Sequence, residues 1–471
     1  MAVEALNWNS RKWHFQGGSM GVRKLLAVAA VLLAGSVAAQ EGVQRVLGSP
    51  GPHVSSDADA EQLSALGKDQ FVEWVRKVSV DGNGLASDQI VLDLFDVDLV
   101  AVKDGEASAA AMGPGRSSAM QWVGFSAGAE EGPVPNVRLT LRDQRLVGTI
   151  RLPGASYSIR PLRSGAHALI KWDLSRMQEG DDVIFRESPE GSKDMPDVGR
   201  VDQSSESPVI RVAVGFTPRV VGEGTWQDVA DELTGAVMDS QQIFVASGAG
   251  LQLQIAAFAL VPYVESTVEQ AVYDLREGQF GPLGLLHRAR NQERADIVVA
   301  VVDTGAADNC GGAAQIKATA ETALVAVQRS CIISGSLTHE IGHLLGADHQ
   351  PDPVPSNPAY PYGHAFYFSA AEEDESSDWA TIMASGCHPP GCARLALFSS
   401  PSNSHLGIVA GDADVRDNVR AINETKQLVA DFYPPPQGGV WRVGGSGGGQ
   451  VPLYIPIAQE SSGHAIHGLL Q

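Results

Sequence analysis

At 471 residues, with 44% hydrophobic and 19% charged side chains, the chain has a globular composition and is too long for one ordinary domain. Its net charge of -21 and pI near 4.9 repel phosphate backbones, which excludes nucleic acid as an expected partner.

The chain-order reading starts at "MGVRKLLAVAAVLLAGSVAAQ", from Met20. Arg23 and Lys24 form a positive segment, Leu25 to Gly35 an apolar run, and Val37 and Ala39 are small residues before a cleavage point. Residues 20–39 therefore read as a secretory signal within a signal region 1–39. Residues 1–19 lie upstream of it, so either Met1 or Met20 is the initiator, and the expected destination is periplasmic or extracellular. The apolar run is far shorter than the roughly 20 residues of a spanning helix, so no stable membrane anchor is expected.

Residues 40–205 read as one β-rich, antiparallel unit. A helix-like piece, "AEQLSALGKDQFVEWVRKV", precedes the strand-like runs "QIVLDLF", "VRLTLRD", "RLVGTIRLPG", "ASYSIRPL" and "HALIKWDL". The segment 185–208 is polar and broken by Pro and Gly, as in an exposed linker. Beyond it, residues 206–434 alternate strands ("VIRVAVGFT", "LQLQIAAFALV", "ADIVVAVVD") with helices (Trp226–Val245, "LGLLHRARNQ"), which predicts a largely parallel sheet covered by helices. An amphipathic helix is expected within Asp412–Phe432, stopped by Pro434. Residues 435–471 form a Gly/Pro-rich tail whose last part, from "VPLYIP", reads as a single strand.

The four cysteines, Cys310, Cys331, Cys387 and Cys392, suggest two disulfides in an exported chain. Of three possible pairings, the turn "HPPG" between Cys387 and Cys392 favours a local bridge and leaves Cys310 with Cys331. A four-cysteine zinc site would want a CxxC pair, and none exists.

The chemistry concentrates in "SLTHEIGHLLGADHQ", Ser336 to Gln350. Leu337, Ile341, Leu344 and Leu345 give it a helical apolar face, with Ser336 or Thr338 as candidate caps. Four residues of helix bring His339 and His343 to the same side, one turn apart. Both imidazoles can reach one ion, and Glu340 lies beside them, placed to hold a water rather than the metal. Gly346 ends the helix by taking a left-handed conformation and lets the chain return His349 as a third ligand. Three neutral nitrogens with a fourth position open are the donor set of a catalytic zinc.

The motif "HEIGHLLGADH" resembles the zinc signature of the metzincin endopeptidases, and "WATIMASGC" resembles their methionine turn, with Met383 as its methionine. "CGGAAQI", the segment from "LFSSPSNSHLGIV" to "VADFY", and the propeptide-like "MQWVGF…LVGTIRLPGASYSIRPL" are similar to reprolysin-like bacterial enzymes, above all the peptidyl-Asp metallopeptidase group. The resemblance covers most of residues 120–434. It implies an α/β (α+β) metzincin catalytic domain at 206–434, with a mixed sheet, an active-site helix and a Met-turn, preceded by a β-rich propeptide at 40–205. It implies a secreted zinc endopeptidase with one catalytic ion and a polypeptide substrate. Glu340 would act as general base and return the proton to the leaving amine. Gly311 to Ile316, with Gly311, Gly312, Ala313 and Ala314, would be a sheet edge that pairs with extended substrate. The chain departs from the pattern at Gln350, where many relatives carry Asp, and at Ser385, where several metzincins carry Tyr.

No cysteine precedes residue 206, so latency through a thiolate on zinc is excluded. The propeptide, as inhibitor, must act by a carboxylate or by blocking the cleft. His364 and His388 are loop residues near the motif. "EEDESSD", Glu372 to Asp378, is acidic, but lacks the ligand order of a calcium loop, so calcium is unsupported. Lys317, Arg329 and Arg394 are three cations available to an acidic side chain, and spacing singles out none of them. The alternatives are a metzincin of another subfamily, a non-catalytic binding protein on the same fold, and a dead protease attached to a binding module.

Overall fold

The computed structural model describes residues 43–49, 57–127, 134–177, 183–184, 207–434 and 453–455, with breaks at 96, 107, 109–118, 223, 279–280, 306–309, 314, 352–357, 370–377 and 388–391. The signal region and nearly all of the 185–208 linker lie outside these residues, as do Ala314, His388 and Glu372–Ser377.

The first layer is a closed barrel of nine strands: β1 (Gln44–Gly48), β2 (Val72–Val80), β3 (Gln89–Asp93), β4 (Asp98–Lys103), β5 (Met120–Ser126), β6 (Val137–Arg142), β7 (Arg145–Leu152), β8 (Ala155–Pro161) and β9 (His167–Trp172). Neighbours pair antiparallel except β1 and β3, whose parallel pairing closes the barrel. That pair departs from the expected all-antiparallel unit, because a short strand from far upstream supplies the seam.

Helix α1 (Asp57–Leu66) ends before the predicted helix does. Residues 72–80 instead form β2 and pair with β9, since a β-branched run with an available partner gains more as a strand than as an extra helical turn. Inside the barrel, Leu47, Val78, Ile90, Leu92, Trp122, Leu139, Leu146, Ile150 and Ile159 form one buried cluster. Alternation then sends Arg138, Arg142, Arg145, Arg151 and Arg160 out of the same wall.

His167 is buried in this wall, and Leu146 N–H donates to its Nε2 at 2.8 Å. Burial, followed by the nearby Arg145 cation, depresses the imidazole to about 4. Between that value and 6.5 the unfolded chain takes a proton that the folded chain refuses, so stability falls as pH falls through this window. Chemical denaturation at pH 7 and pH 4.5 is expected to show about 2–3 kcal/mol more acid loss in wild type than in His167→Asn. Equal losses would remove this role.

The second layer is a seven-stranded mixed sheet in the order β10 (Val183–Ile184), β14 (Gly311–Ala313), β15 (Leu324–Gln328), β13 (Ile297–Val302), β11 (Val209–Phe216), β12 (Gln252–Leu260) and the tail strand Leu453–Ile455. Every pair is parallel except β14 with β15. The all-apolar β13 reads as buried because it is covered on both sides. Ile297, Val299 and Val301 face a core shared with α2 (Pro218–Val221), α3 (Trp226–Ala246), α6 (Ser336–Leu344) and α7 (Asn418–Ala430), while Val298, Ala300 and Val302 face α4 (Val268–Glu277) and α5 (Gly284–Glu293). The tail strand 453–455 extends this sheet beside β12. No helix among the described residues is long and apolar enough to cross a membrane.

The barrel docks on α3 through ion pairs. Arg138 Nε and Arg151 Nη1 donate to the two oxygens of Asp239 at 2.7 and 2.6 Å. Arg142 and Arg145 each grip a carboxylate with two bonds, Asp231 and Asp228 respectively. Glu232 takes Arg160 from the barrel and Arg329 from the second layer. Burial alone would raise the Glu232 carboxyl, but Arg160 and Arg329 outweigh it and hold it at about 2. Beside these pairs, Phe71, Leu162, Ile170 and Trp172 of the barrel unit pack on Cys310, Cys331 and Ile333.

Candidate active site

The motif lies on α6 and the turn that follows, both packed between the sheet and α3. Leu337, Ile341, Leu344 and Leu345 enter the core as the spacing predicts. Neither Ser336 nor Thr338 caps the helix. Gly335 holds the cap position with φ 93°, Ser336 Oγ donates to Cys331 O, and Thr338 Oγ1 donates to Ser240 Oγ on α3 at 2.8 Å. A preceding 3-10 turn (Arg329–Ser334) leads directly into α6, so its hydroxyls bond backward and sideways instead of capping.

At the C-terminal end, Gly346 takes φ 90°, with Gly346 N–H on His343 O and Ala347 N–H on Gly342 O. This paired closure leaves the last carbonyls satisfied and reverses the chain. His349 returns to the helix, its backbone carbonyl accepting from His364 Nδ1 at 2.9 Å. Asn418, at the start of α7, donates to Gly363 O and Asp348 O and so braces the same turn.

The three imidazoles converge. Their Nε2 atoms are 3.0 Å (His339–His343), 3.1 Å (His339–His349) and 3.1 Å (His343–His349) apart. His339 Nδ1 faces Ile382 O and His343 Nδ1 faces Ala347 O, each at 2.8 Å. A carbonyl only accepts, so these contacts place the proton on Nδ1 and leave Nε2 as a lone pair. Lone pairs meeting at about 3 Å repel unless a cation sits among them. Three nitrogens at 2.0–2.1 Å from one tetrahedral ion lie about 3.3 Å apart, so the trio fits zinc. Among the described residues these three form the one histidine, cysteine or carboxylate group set to hold a metal.

Glu340 is fully buried next to the trio. Gly311 of β14 lies so close that a Cβ there would stand 2.4 Å from Glu340 Oε1; only glycine lets the strand pass over the carboxylate. Gly342 serves the opposite side, since a Cβ on it would stand 2.6 Å from the sulfur of buried Met383. Met383 thus lies directly beneath the motif helix.

The expected substrate edge is not an edge in this chain. Gly312 and Ala313 pair in parallel with Val183 and Ile184, a segment just upstream of the linker. The strand next to α6 in the chain is β15, and β14 pairs with it from outside.

The two departures from the resemblance meet each other. Gln350 Nε2 donates to Ser385 O and Oγ, and Ser385 N–H donates to Gln350 Oε1. They tie the turn carrying His349 to the loop carrying Met383. Both disulfides are present as paired above, Cys310–Cys331 and Cys387–Cys392.

Two candidates from the sequence take structural roles: His364 holds the His349 backbone, and Asp378 begins the strand Asp378–Ala380 and accepts from Tyr367 Oη. Arg394 was one of three cations of equal standing; the fold sets it at the site. It belongs to the strand Cys392–Arg394 and donates to Ile382 O and Ala384 O, with Nη2 2.5 Å from His339 Nδ1. Burial lowers its guanidinium to about 9, so it is charged at neutral pH.

The model of Metallo-peptidase family M12, of the reprolysin type, matches residues 210–399. The peptidyl-Asp metalloendopeptidase of Xanthomonas campestris pv. campestris is 31% identical over 408 residues, covering 85% of this chain and 90% of the relative. A second, from Stenotrophomonas maltophilia, is 31% identical over 395 residues, covering 80% and 92%. This chain belongs to the reprolysin-like metallopeptidases. It is a zinc metalloendopeptidase, and the alternatives of another metzincin subfamily or a non-catalytic protein fall with that assignment. Metalloproteinase-II from Bacteroides fragilis is similar in structure at TM-score 0.35 and 12% identity, over 66% of this chain and 89% of that one. The reprolysin-type match spans the five central strands of the sheet, α6 and the Met383 loop; the barrel precedes it.

Proposed function

We propose that this metalloendopeptidase is exported as a latent precursor and cleaves polypeptides before aspartate. The convergence of His339, His343 and His349 at 3.0–3.1 Å beside the Glu340 carboxylate carries the catalytic part of the reading. Zinc, when bound there, supplies a Lewis acid that polarises a carbonyl and lowers the pKa of a water to about 7. Glu340 is the base that takes a proton from the attacking water and later returns it to the leaving amine. Ile382 O and Ala347 O fix the tautomers of His339 and His343, and Met383 and Gln350–Ser385 keep the loop beneath them in register. An extended substrate adds a strand to β14, whose Gly311 passes over Glu340.

Latency follows from what holds that place in the full chain. Val183–Ile184 pairs with β14, and the barrel upstream of it is clamped to α3. Blocking the cleft, not a carboxylate or thiolate on the metal, is the mode this supports. The signal-like segment 20–39 and the two disulfides support export. The aspartate preference rests on the relatives' names, peptidyl-Asp metalloendopeptidase.

The test is digestion of a denatured protein mixture with the active enzyme, followed by identification of every new peptide end. New N-termini at aspartate, abolished by a chelator and restored by zinc, are expected. Chelator-resistant cleavage would refute the metal reading, and random termini would refute the preference.

A further inference from the structure

We infer that a cut in the 185–208 linker does not by itself open the enzyme: the severed barrel stays on α3 as a bound inhibitor, and activity appears only when it is dislodged or destroyed. This rests on the latency proposed above and states what regulates it.

The place of the linker in the chain carries the inference. Val183–Ile184 covers the outer edge of β14 and lies on the barrel side of 185–208. A cut in the linker therefore separates this strand from the catalytic layer in the chain, but leaves it joined to the barrel. Five residues, 178–182, connect it to Met177, which is buried with Phe71, Leu162 and Trp172 of the barrel unit.

Held alone, the covering strand would not stay. It pairs with β14 at two positions, Val183 with Gly312 and Ile184 with Ala313. A strand that short loses more chain entropy on docking than two pairings return. The barrel supplies the difference. A short tether to a docked body presents its segment at an effective concentration of about a millimolar.

The docking that anchors the tether is broad. Asp228, Asp231, Glu232 and Asp239 of α3 are each held by an arginine of the barrel. Arg138 Nη2 also donates to Gln242 Oε1 at 2.9 Å, and Arg151 Nε to Ile333 O at 3.0 Å. A Cβ on Gly235 would stand 3.1 Å from Arg138 Cδ, so glycine gives the barrel room where it lies against the helix. None of these contacts involves the linker. The device thus has two separable parts, a plug on β14 and a clamp on α3.

A plug on the edge that an extended substrate would join competes with that substrate. Inhibition of this kind raises KM and leaves kcat unchanged, which a distorted active site would not do.

The test uses the full chain with a recognition site for a sequence-specific cysteine protease inserted in the 185–208 linker. Casein hydrolysis is measured over a range of casein concentrations, with and without chelator. Gel filtration of the same cut chains is run in a Glu340→Ala background, which prevents self-digestion. The cut wild type is expected to co-elute with its barrel and to show a KM about tenfold to a hundredfold above that of cut Asp239→Ala, at the same kcat. Val183→Pro with Ile184→Pro removes the N–H donors of the plug. Cut, this variant is expected still to co-elute, but with the low KM of Asp239→Ala. If Asp239→Ala does not fold, Arg142→Gln with Arg145→Gln takes its place, since those pairs are partly exposed. A cut wild type that co-elutes with a low KM, or a proline variant that keeps the high KM, would overturn the plug. A cut wild type that separates from its barrel would overturn the clamp. An uncut chain as active as cut Asp239→Ala would overturn the latency itself, and the absence of chelator-sensitive hydrolysis from every preparation would overturn the proposed function, each taking this inference with it.

Discussion

Glu340→Ala is expected to lose peptide hydrolysis by about a hundredfold to ten-thousandfold, the range for general acid–base catalysis, while still binding one zinc per chain. The two parts of this outcome come from different atoms. Metal retention depends on three Nε2 lone pairs whose directions are set by Ile382 O, Ala347 O and the turn at Gly346, and none of these involves the carboxylate. Hydrolysis depends on a base beside them. Glu340 lies on the first helical turn of the motif between His339 and His343, fully buried, and its contact with Gly311 places it between the trio and the strand that would hold the substrate. Active-site titration with a fluorogenic peptide, together with metal analysis on the same sample, reads both parts. A variant as active as wild type would remove Glu340 from the mechanism.

Asp239→Ala is expected to release the barrel once the 185–208 linker is cut. In the wild type, two guanidiniums converge on this carboxylate, and Arg138 and Asp239 are each about 5% exposed or less. Burial would raise the Asp239 carboxyl, but Arg138 and Arg151 reverse this and lower it. Removing the carboxylate leaves buried positive charge uncompensated, which costs about 3–5 kcal/mol. The cut wild type should therefore co-elute as a complex on gel filtration, and the cut variant should separate. Because the shift at Asp239 is downward, the pair's contribution is present above the ordinary carboxylate pKa and fades only as pH falls through the lowered one. The wild-type complex should then persist at pH 5, and low salt dependence is expected because the pair is buried. Co-elution of the cut variant would show that the apolar patch over Cys310–Cys331 alone holds the barrel.

The motif was legible in the sequence because everything that shapes it is local. The spacing of His339 and His343, the apolar face of Leu337 and Ile341 and the breaker at Gly346 all act within eleven residues. The parallel-sheet core was legible for a similar reason: an uninterrupted apolar run such as Ile297–Val302 has to be covered on both sides. What was not legible depends on partners far away in the chain. Residues 72–78 read as helix until β9 is available to pair with them, and the seam between Gln44–Gly48 and Gln89–Asp93 joins segments with no shared signal. Three of the barrel strands, β1, β4 and β5, were not singled out as strands, and length is not the reason, since β4 and β5 are as long as the legible β6 and β9 or longer. The covering of β14 by Val183–Ile184 is a pairing across more than a hundred residues. Arg394 could not be told from Lys317 or Arg329 because rank among cations is decided by burial and by neighbours, and neither is written in spacing. The arginines at 138, 142, 145, 151 and 160 are visible in the sequence, but their purpose appears only when the acidic face of Trp226–Ala246 is laid against them.

The central claim is that His339, His343 and His349 hold one ion between them. X-ray diffraction from crystals of the zinc-supplemented chain, recorded on both sides of the zinc absorption edge, tests it most directly. The account predicts one anomalous peak about 2.0–2.1 Å from each of the three Nε2 atoms. Crystals that contain zinc elsewhere, with no peak among these rings, would contradict it.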